Sequence, residues 1–435
     1  MATLFHDATL VCCDEQRRTL RGDLLVGDDG RIQALGPDIA APPLARRVDC
    51  RGGWLLPSFV QTHIHLVQTL FRGLADDLLL LDWLRTRIWP LEAAHDEEST
   101  YWSARLGLTE LLLGGTTSLL DMGSVRHTDS VFRACEEAGV RAFVGRAMMD
   151  LPNEAGLSEP TEASLRGACD EADRWHGRGR LRYAFAPRFV PSCSAELLTT
   201  VAQEARRRGC LVHTHASENR DEVALVRRMT GRDNVIYLHE LGLSGPDVAL
   251  AHCIHLSSDE RALLAETGTR VLHCPSSNLK LGSGIAPIPE LLEAGVHVSL
   301  GADGAPCNNR LDVFTEMRLA ALIQKPRLGP TAMPASQVLG LATRAGAEAL
   351  GLEAGVLAVG RLADLVLLDP EEPDVLPSPA PASGVVYAMT RSSVRGVWID
   401  GERRVEGGRV LGWDLRETIE GVQSSLARVR GRAGL

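Results

Sequence analysis

The segment Trp54 to His65, WLLPSFVQTHIH, decides the fold, because its pattern of a mainly apolar run ending in polar side chains recurs along the chain. Such runs are typical of strands buried in a parallel sheet. Eight of them alternate with helix-like segments, which predicts an α/β fold with a (β/α)8 TIM-type barrel whose active site lies at the carboxyl ends of the strands. They are WLLPSFVQTHIH (54–65), TTSLLDMG (116–123), RAFVGRA (141–147), LRYAFAPRF (181–189), CLVHTHASE (210–218), VALAHCIHL (248–256), RVLHCPSSN (270–278) and HVSLGADGAP (297–306).

The two ends of the chain have a different texture. Short apolar alternations separated by turn signals, such as Asp28-Asp29-Gly30 and Asp400-Gly401, run through both ends. We therefore predict a small β-sandwich domain built from both chain ends (1–56 and 355–415) around a barrel of residues 57–354. Residues 416–435 are expected to form a C-terminal helical tail.

Composition limits the classes of partner. The 435 residues are 45% hydrophobic and 23% charged, which is ordinary globular composition. A formal charge of -10 argues against binding to nucleic acid, and no apolar run reaches the length of a membrane span. The start of the chain lacks a signal-peptide pattern, and the ten scattered cysteines contain no C-x-x-C pair. We expect a cytoplasmic protein with a small-molecule ligand and no nucleic-acid or membrane partner.

Ionisable side chains stand at the end of nearly every predicted strand. Because buried charges need partners, we expect them to converge on one mouth of the barrel. No role is assigned to the aspartate of the second run, the arginine of the third or the histidine of the seventh. The set comprises His63, His65, Asp121, Arg146, Arg188, His215, Glu218, His252, His273 and Asp303.

Two H-x-H patterns indicate a metal site. His63 and His65 project to the same side of an extended strand, because side chains alternate with a period of two. A second pair, His213 and His215, ends the fifth run, and Asp303 ends the eighth. Three histidines with one carboxylate form a plausible zinc or iron site with a position left for water. Such a site can lower the pKa of that water and produce hydroxide.

Five motifs resemble the amidohydrolase superfamily. They are closest to its aminohydrolase branch, which contains guanine deaminases, adenosylhomocysteine and 5′-deoxyadenosine deaminases and s-triazine hydrolases. The resemblance runs from the N-terminal β segment to about Asp400 and implies the barrel and composite β domain predicted above. The motifs are PSFVQTHIHLVQTLFRG (57–73), HTHASENRDEV (213–223), AHCIHL (251–256), HCPSSNLKLGSG (273–284) and LGADGAPCNN (300–309).

The resemblance implies the metal ligands. His63, His65, His215 and Asp303 match the ligand positions, whereas His213 is expected to face away from the ion or to support it. Relatives with two metals carry a modified lysine at the end of the fourth strand, and LRYAFAPRFV (181–190) contains no lysine. One divalent ion is therefore expected, zinc in the first place and iron as the alternative.

The resemblance also implies the catalytic residues. Glu218 matches the carboxylate that shuttles a proton to the attacked ring nitrogen, and His252 matches the histidine that polarises the water. Asp303 can accept the proton of that water. This chemistry is that of a hydrolase that acts on carbon–nitrogen bonds in cyclic amidines and releases ammonia.

The substrate contacts divide between two branches. Gln68, Arg188 and Phe189 are similar to guanine deaminase positions, and a glutamine with an arginine can bind a lactam edge. Trp83 and Trp89 could cap a planar ring or could pack a helix. On this basis the sequence slightly favours a purine-like ring of the guanine type, with a 2-amino-4-oxo edge.

Three alternatives stay open. FRGLADDLLLLDWL (71–84), NLKLGSG and LGADGAPCNN look more like deaminases of adenosine derivatives, namely 5′-deoxyadenosine, methylthioadenosine and adenosylhomocysteine. The next alternative is an s-triazine hydrolase, although Gly304 keeps the deaminase form. A catalytically dead barrel that serves as a ligand-binding or assembly subunit is the alternative from another class. The resemblance also implies a homodimer or higher homo-oligomer.

Overall fold

The structure, a computed structural model, describes residues 1–377 and 380–435. Its contacts define two compact units: unit 1 comprises residues 1–61, 109–118 and 312–413, and unit 2 comprises residues 62–108, 119–311 and 414–435. Residues 312–354, which the sequence assigned to the barrel, group with unit 1 in this division. The domain limits predicted from the sequence, 1–56 with 355–415, 57–354 and 416–435, therefore stay a prediction.

The strands fall in the regions where the sequence runs predict them. In chain order they are β1 Thr3–Val11, β2 Thr19–Val26, β3 Ile32–Gly36, β4 Arg46–Asp49, β5 Trp54–Pro57, β6 Phe59–His65, β7 Thr116–Met122, β8 Arg141–Gly145, β9 Ala147–Met148, β10 Leu181–Pro187, β11 Leu211–Ala216, β12 Val248–His252, β13 Arg270–His273, β14 Val298–Leu300, β15 Asp303–Gly304, β16 Leu365–Leu368, β17 Val394–Ile399, β18 Glu402–Glu406 and β19 Arg409–Val410.

The α-helices lie mainly between these strands. They are α1 Leu80–Trp83, α2 Trp89–Ala93, α3 Glu97–Leu113, α4 Thr128–Ala138, α5 Thr161–Trp175, α6 Ala195–Arg208, α7 Arg220–Thr230, α8 Asn234–Glu240, α9 Ser258–Thr267, α10 Pro275–Lys280, α11 Ile288–Glu293, α12 Ala305–Asn308, α13 Val313–Leu322, α14 Lys325–Leu328, α15 Ala335–Leu341, α16 Arg344–Ala349, α17 Pro381–Ser383 and α18 Leu415–Ala433. Shorter 3-10 and π turns connect several of them.

Unit 1 contains the β domain built from both chain ends. Its nine strands form one mixed sheet in the order β19-β18-β17-β16-β5-β1-β2-β3, with β4 paired to β1. Phe5 and Trp398, which are almost 400 residues apart in sequence, meet edge to face with ring centroids 5.0 Å apart. Each fully buried side chain of this size contributes roughly 1.5–3 kcal/mol. These long-range contacts hold the two ends of the chain together.

The second sheet is the predicted barrel. Its order is β14-β13-β12-β11-β10-β8-β7-β6-β15, and its strands pair in parallel. The last sequence run supplies both edges, since β14 pairs with β13 while β15 pairs with β6. This run therefore closes the curled sheet, and the predicted α/β barrel with a β domain from both chain ends is confirmed.

Local signals explain why helices separate the barrel strands. In α6 the Ser194 side chain accepts the amide N–H of Leu197, and Gly209 ends the helix with φ +66°. In α7 Asn219 and Glu222 form a capping box. This box begins the helix directly after the strand end that carries His215 and Glu218, and so fixes the direction in which the chain leaves the site.

No helix among the described residues is long and apolar enough to cross a membrane.

Candidate active site

A buried pocket lies at the carboxyl ends of the barrel strands. The empty space inside the pocket and at its opening amounts to about 380 Å³. Ten residues were predicted from the sequence as metal ligands, catalytic residues or substrate contacts. Nine of these ten line the pocket, and the tenth, His63, is fully buried. The lining comprises His65, Gln68, Leu80, Trp83, Leu84, Arg188, Phe189, His215, Glu218, His252, Leu281 and Asp303.

Three strand ends, those of β6, β11 and β15, bring the four predicted metal ligands together. Asp303 Oδ1 lies 3.3 Å from both His63 Nε2 and His65 Nε2. His65 Nε2 lies 3.3 Å from His215 Nε2. Two sets of three ligand atoms, each within 4.8 Å of one another, share His63: one adds His65 and Asp303, and the other adds His215 and His252. The site thus concentrates ligand atoms around one point.

The outer ring nitrogens are held by hydrogen bonds that direct the inner ones into the site. His65 Nδ1 donates to the Met122 carbonyl at 3.0 Å, and His215 Nδ1 donates to the Arg188 carbonyl at 2.6 Å. A carbonyl only accepts, so these bonds leave a lone pair on Nε2. Burial lowers the pKa of His65 to about 3, which keeps its imidazole in the neutral form that binds metals.

The donor set fits a divalent metal ion. His63 Nε2 is buried and makes no hydrogen bond within the part of the chain that the structure describes, although Asp303 is close. A buried ring nitrogen in this condition calls for a partner. A cation such as zinc, bound by three neutral imidazoles and one carboxylate, would be that partner.

His213 stands behind the ligands. Its Nε2 lies 2.6 Å from Nδ1 of His63, and its side chain is fully buried. The second H-x-H pattern therefore differs from the first: in His63-Ile64-His65 both rings face the ligand cluster, whereas His213 supports His63 from outside and only His215 joins the cluster.

Glu218 and His252 face each other on the substrate side of the cluster. His252 Nε2 lies 3.5 Å from Glu218 Oε2 and 3.9 Å from Asp303 Oδ2. Burial raises the pKa of Glu218 to about 7, which the His252 charge partly offsets. Burial lowers the pKa of His252, but the nearby carboxylates of Glu218 and Asp303 raise it by more, so the net shift of this pKa is upward. Asn278 Oδ1 lies 2.8 Å from His252 Nδ1 and fixes the ring.

Another part of the pocket wall is a polar network that includes a residue absent from the sequence-based prediction. Arg188 Nη1 and Nη2 donate to Glu92 Oε2 and Oε1 at 2.6 and 3.1 Å. Gln68 Nε2 donates to Glu92 Oε1 at 2.8 Å. Trp83 and Phe189 add apolar surface beside this network, and they are 5% and 4% exposed.

Comparison with known proteins places these residues in a family. The sequence model of the amidohydrolase family matches residues 54–404. The chain belongs to the amidohydrolase family. It is 40% identical over 414 residues to a 5′-deoxyadenosine deaminase of Methanothermobacter thermautotrophicus, covering 94% of this chain and 95% of the relative. It is 42% identical over 401 residues to a 5-methylthioadenosine/S-adenosylhomocysteine deaminase of Syntrophobacter fumaroxidans, covering 91% of each.

Solved structures give the same result. An adenosine deaminase from Xanthomonas campestris with bound zinc superposes with a TM-score of 0.93 at 32% identity, over 99% of this chain and 98% of that one. A guanine deaminase from C. acetobutylicum superposes with a TM-score of 0.85 over 93% of this chain and 100% of that one, but it is 24% identical, so it shows the common fold alone.

These findings establish the class of the amidohydrolase. It is a metal-dependent deaminase, a hydrolase that acts on carbon–nitrogen bonds in cyclic amidines. The alternative of a catalytically dead barrel is set aside, because all six positions predicted to hold the metal and move protons are present and adjacent. The predicted guanine-type ring is not confirmed.

Three strand-end residues that were assigned no role, Asp121, Arg146 and His273, lie outside the pocket lining. Arg146 was expected at the mouth, but its guanidinium binds Glu159 and Glu171 at 2.7 Å each and packs over Gly167, against α5. Its charge is compensated by Glu159 and by Glu171 of α5, so the expectation that all strand-end charges converge on one mouth was wrong for Arg146.

Asp121 and His273 are buried outside the pocket lining. Asp121 Oδ1 accepts the amide N–H of Leu66 at 2.7 Å, directly after His65, and burial raises the pKa of Asp121 to about 7. Burial lowers the pKa of His273 to about 3, and neither of its ring nitrogens has a hydrogen-bond partner in residues 1–377 and 380–435. Asp121 therefore supports the chain beside a metal ligand, whereas nothing in the structure gives His273 a role.

Sequence reasoning missed Glu92 because no motif surrounds it. It lies in IWPLEAA (88–94), where a single carboxylate interrupts an apolar stretch. Glutamate is rarely buried without a partner, so such a position is a signal of a buried pair. Its partners, 24 and 96 residues away, could not be identified from sequence.

Proposed function

We propose that this amidohydrolase removes the C6 amino group of an adenine nucleoside altered at its 5′ position, such as 5′-deoxyadenosine, methylthioadenosine or adenosylhomocysteine. The observation that carries the proposal is identity of 40% and 42%, over more than nine-tenths of the chain, to deaminases of these compounds. The guanine deaminase is only 24% identical and therefore supports the fold without supporting the substrate.

We propose that a single divalent ion, zinc, is held by His63, His65, His215 and Asp303. Both possible ligand sets among the described residues share His63, which fits one centre and not two. Strand β10 has no lysine to bridge a second ion. Zinc is preferred to iron because the solved adenosine deaminase contains it. When bound, such an ion supplies an acidified water at neutral pH.

The proton transfers follow from the positions of two carboxyl groups. Asp303 accepts a proton from the attacking water while the oxygen of that water bonds to C6. Glu218, with a pKa of about 7, is protonated in an appreciable fraction at neutral pH and donates to ring nitrogen N1. The proton taken by Asp303 passes to the amino nitrogen, the C6–nitrogen bond breaks and ammonia leaves. The C6 hydroxyl returns its proton to Glu218 as the 6-oxo product forms. His252, held by Asn278, keeps Glu218 and the water in line.

The apolar lining supports a substrate without charge at the contact surface. Leu80, Leu84 and Leu281 line the pocket with Trp83 and Phe189, and these side chains can pack against a purine ring or an apolar 5′ group. A deoxy or thioether group loses little on leaving water for such a surface, so this lining favours 5′-deoxyadenosine and methylthioadenosine over adenosylhomocysteine, whose 5′ group carries an amino-acid charge pair.

A guanine-type substrate is the second candidate, and one observation favours it. Gln68 and Arg188 both line the pocket, where they could bind a lactam edge. Arg188, however, already makes two hydrogen bonds to Glu92, so its charge is compensated before any ligand arrives. This reduces what a lactam oxygen can gain from it.

Ammonia release by the zinc-loaded protein tests the proposal. We expect kcat/KM for 5′-deoxyadenosine, methylthioadenosine or adenosylhomocysteine to exceed that for guanine and for aminated triazines by at least about a hundredfold. The Glu218→Gln variant, loaded with the same metal, controls for background hydrolysis. A higher kcat/KM for guanine or a triazine would contradict the proposed substrate.

Two further expectations belong to this proposal. The ten cysteines are all free thiols, which supports a reducing compartment and thus the predicted cytoplasmic location. The predicted homodimer or higher homo-oligomer stays a prediction, which sedimentation of the zinc-loaded protein would test.

A further inference from the structure

Lys280 is one of only two lysines in the chain, and its ammonium group joins three segments beside the pocket. It is the last residue of α10, and its Nζ donates to Asp76 Oδ1 at 2.5 Å, to the Pro306 carbonyl at 2.8 Å and to Asn309 Oδ1. An ammonium group has three N–H donors, so each of them has an acceptor here. These three bonds hold an otherwise flexible side chain in one position.

Two of the joined segments hold groups of the site directly. In α10, Ser277 Oγ donates to Asp303 Oδ2 at 2.6 Å, and Asn278 Oδ1 accepts a hydrogen bond from His252 Nδ1 at 2.8 Å. The other segment is α12, which begins at the second residue after Asp303. Lys280 therefore connects the turn that supports His252 with the turn that follows a predicted metal ligand.

The third segment, residues 72–84, forms an apolar side of the pocket and is called the strap below. It follows the 3-10 helix that succeeds β6, and it includes α1. Its side chains pack in one apolar cluster with residues of α12 and of the end of α10. Apolar packing is not directional, so it does not by itself fix where the strap lies. The strap residues that line the pocket are Leu80, Trp83 and Leu84.

Polar contacts give the strap a defined position. At its start, Arg72 Nη1 donates to the Asn309 carbonyl at 2.5 Å. Asp76 lies between this contact and the residues that line the pocket, and it binds Lys280 with 43% of its side chain exposed. The Lys280 side chain is 24% exposed and does not line the pocket. The ammonium group thus holds the middle of the strap from outside the substrate space.

We propose that Lys280 is a positioning residue that couples the strap to the turns beside His252 and Asp303, so that the pocket encloses the substrate and aligns the catalytic groups as one unit. Lys280 acts through α10, α12 and the strap, and not on the reacting atoms. The kinetic part of this inference rests on the proposed deamination, whereas the mechanical coupling does not depend on the substrate.

Asp76→Ala removes the bond to the strap and leaves the other two bonds of Lys280 in place. We expect KM for 5′-deoxyadenosine to rise about threefold and amide hydrogen exchange in residues 72–84 to become about threefold faster, as fits a half-exposed ion pair. The value of kcat should stay within about twofold, because α10 and α12 remain joined. Wild-type exchange in the strap of the zinc-loaded variant would overturn the proposal.

Lys280→Met removes all three bonds and keeps the length of the side chain. KM should again rise about threefold, and kcat per bound zinc should fall about tenfold, because the supports of His252 and Asp303 are loosened. In the double variant with Asp76→Ala, KM should equal that of Lys280→Met. A normal kcat for Lys280→Met, or KM effects that multiply to about ninefold, would overturn the proposal.

The matched control is Lys325, the other lysine of the chain. Its Nζ donates to the carbonyls of Pro330 and Ala332 at 2.9 and 2.8 Å, and it does not line the pocket. Lys325→Met removes the same charge and should leave KM, kcat and strap exchange unchanged. Changes equal to those of Lys280→Met would show general loosening and overturn the proposal.

Hydrogen exchange separates failure of this proposal from failure of the proposed function, because it needs no substrate. If 5′-deoxyadenosine is not turned over, the proposed substrate is wrong, and faster strap exchange in Asp76→Ala and Lys280→Met still supports the coupling. Turnover of 5′-deoxyadenosine with wild-type KM in both variants would keep the proposed function and overturn the role of Lys280.

Discussion

The metal end of the pocket and the polar wall formed by Gln68, Arg188 and Glu92 are both buried, yet they satisfy their polar atoms in different ways. At the metal end, the inner nitrogens of His63, His65 and His215 lie close together, and His63 Nε2 has no hydrogen-bond partner among the described residues. At the wall, Glu92 satisfies most of what Gln68 and Arg188 need. The metal end therefore offers donor atoms that suit a cation, whereas the polar atoms of the wall bind one another and leave only Gln68 Oε1 without a partner among the described residues.

This difference predicts where substitutions act. Loss of a ligand at the metal end removes the source of the nucleophile, so the effect should be large and appear in kcat. Loss of one contact at the wall removes about one hydrogen bond or one packing surface, so the effect should be modest and appear in KM. The following four substitutions test the contrast in order of expected size.

The largest effect is expected for His215→Asn. The variant should lose its metal and at least about a thousandfold in kcat, because the acidified water is no longer supplied. Metal content by mass spectrometry and ammonia release measure the two losses together. A variant with full metal content and normal kcat would remove His215 from the ligand set.

Glu218→Gln separates proton transfer from metal binding. We expect kcat to fall by about 10²–10⁴-fold, because an amide cannot supply the proton that N1 requires. Metal content and melting temperature should match those of the unchanged protein. Wild-type turnover would show that another group protonates the ring.

Asn278→Leu tests the support of His252. Its amide oxygen lies 2.8 Å from His252 Nδ1, and removing such a support costs about 10–100-fold in activity in comparable sites. The loss should appear in kcat, with KM changed less than about threefold. A loss confined to KM would mean that Asn278 contacts the substrate and that the two ends are not separate.

Trp83→Leu belongs to the wall and should have the smallest effect. The side chain is 5% exposed and lines the pocket, so its loss is expected to raise KM about tenfold while kcat stays within about twofold. Trp89→Leu is the matched control, since Trp89 packs on the neighbouring apolar clusters without lining the pocket. Equal KM values in the two variants would show that Trp83 only packs.

The same contrast explains how much was predictable. The metal end is encoded locally: the two-residue period of a strand places His63 and His65 together, and β11 and β15 bring His215 and Asp303 to the same barrel end. The barrel itself followed from eight apolar runs. These features depend on short motifs and on one architectural rule, so a single sequence contains them.

The wall depends on long-range pairs that no local pattern encodes. Gln68, Trp83, Arg188 and Phe189 were predicted as pocket residues and do line it, but the state of Arg188 depends on Glu92 in a different element. Arg146 shows the converse, since it follows a strand as Arg188 does and yet binds Glu159 and Glu171 away from the pocket lining. Which arginine faces the pocket is decided by its partner, and a partner is visible only in the folded chain.

A crystal structure of the zinc-loaded Glu218→Gln variant with 5′-deoxyadenosine tests the central claim most directly. The account predicts C6 over the centre formed by His63, His65, His215 and Asp303, with N1 beside position 218. A nucleoside bound with C6 turned away from this centre, or with N1 away from position 218, would contradict it.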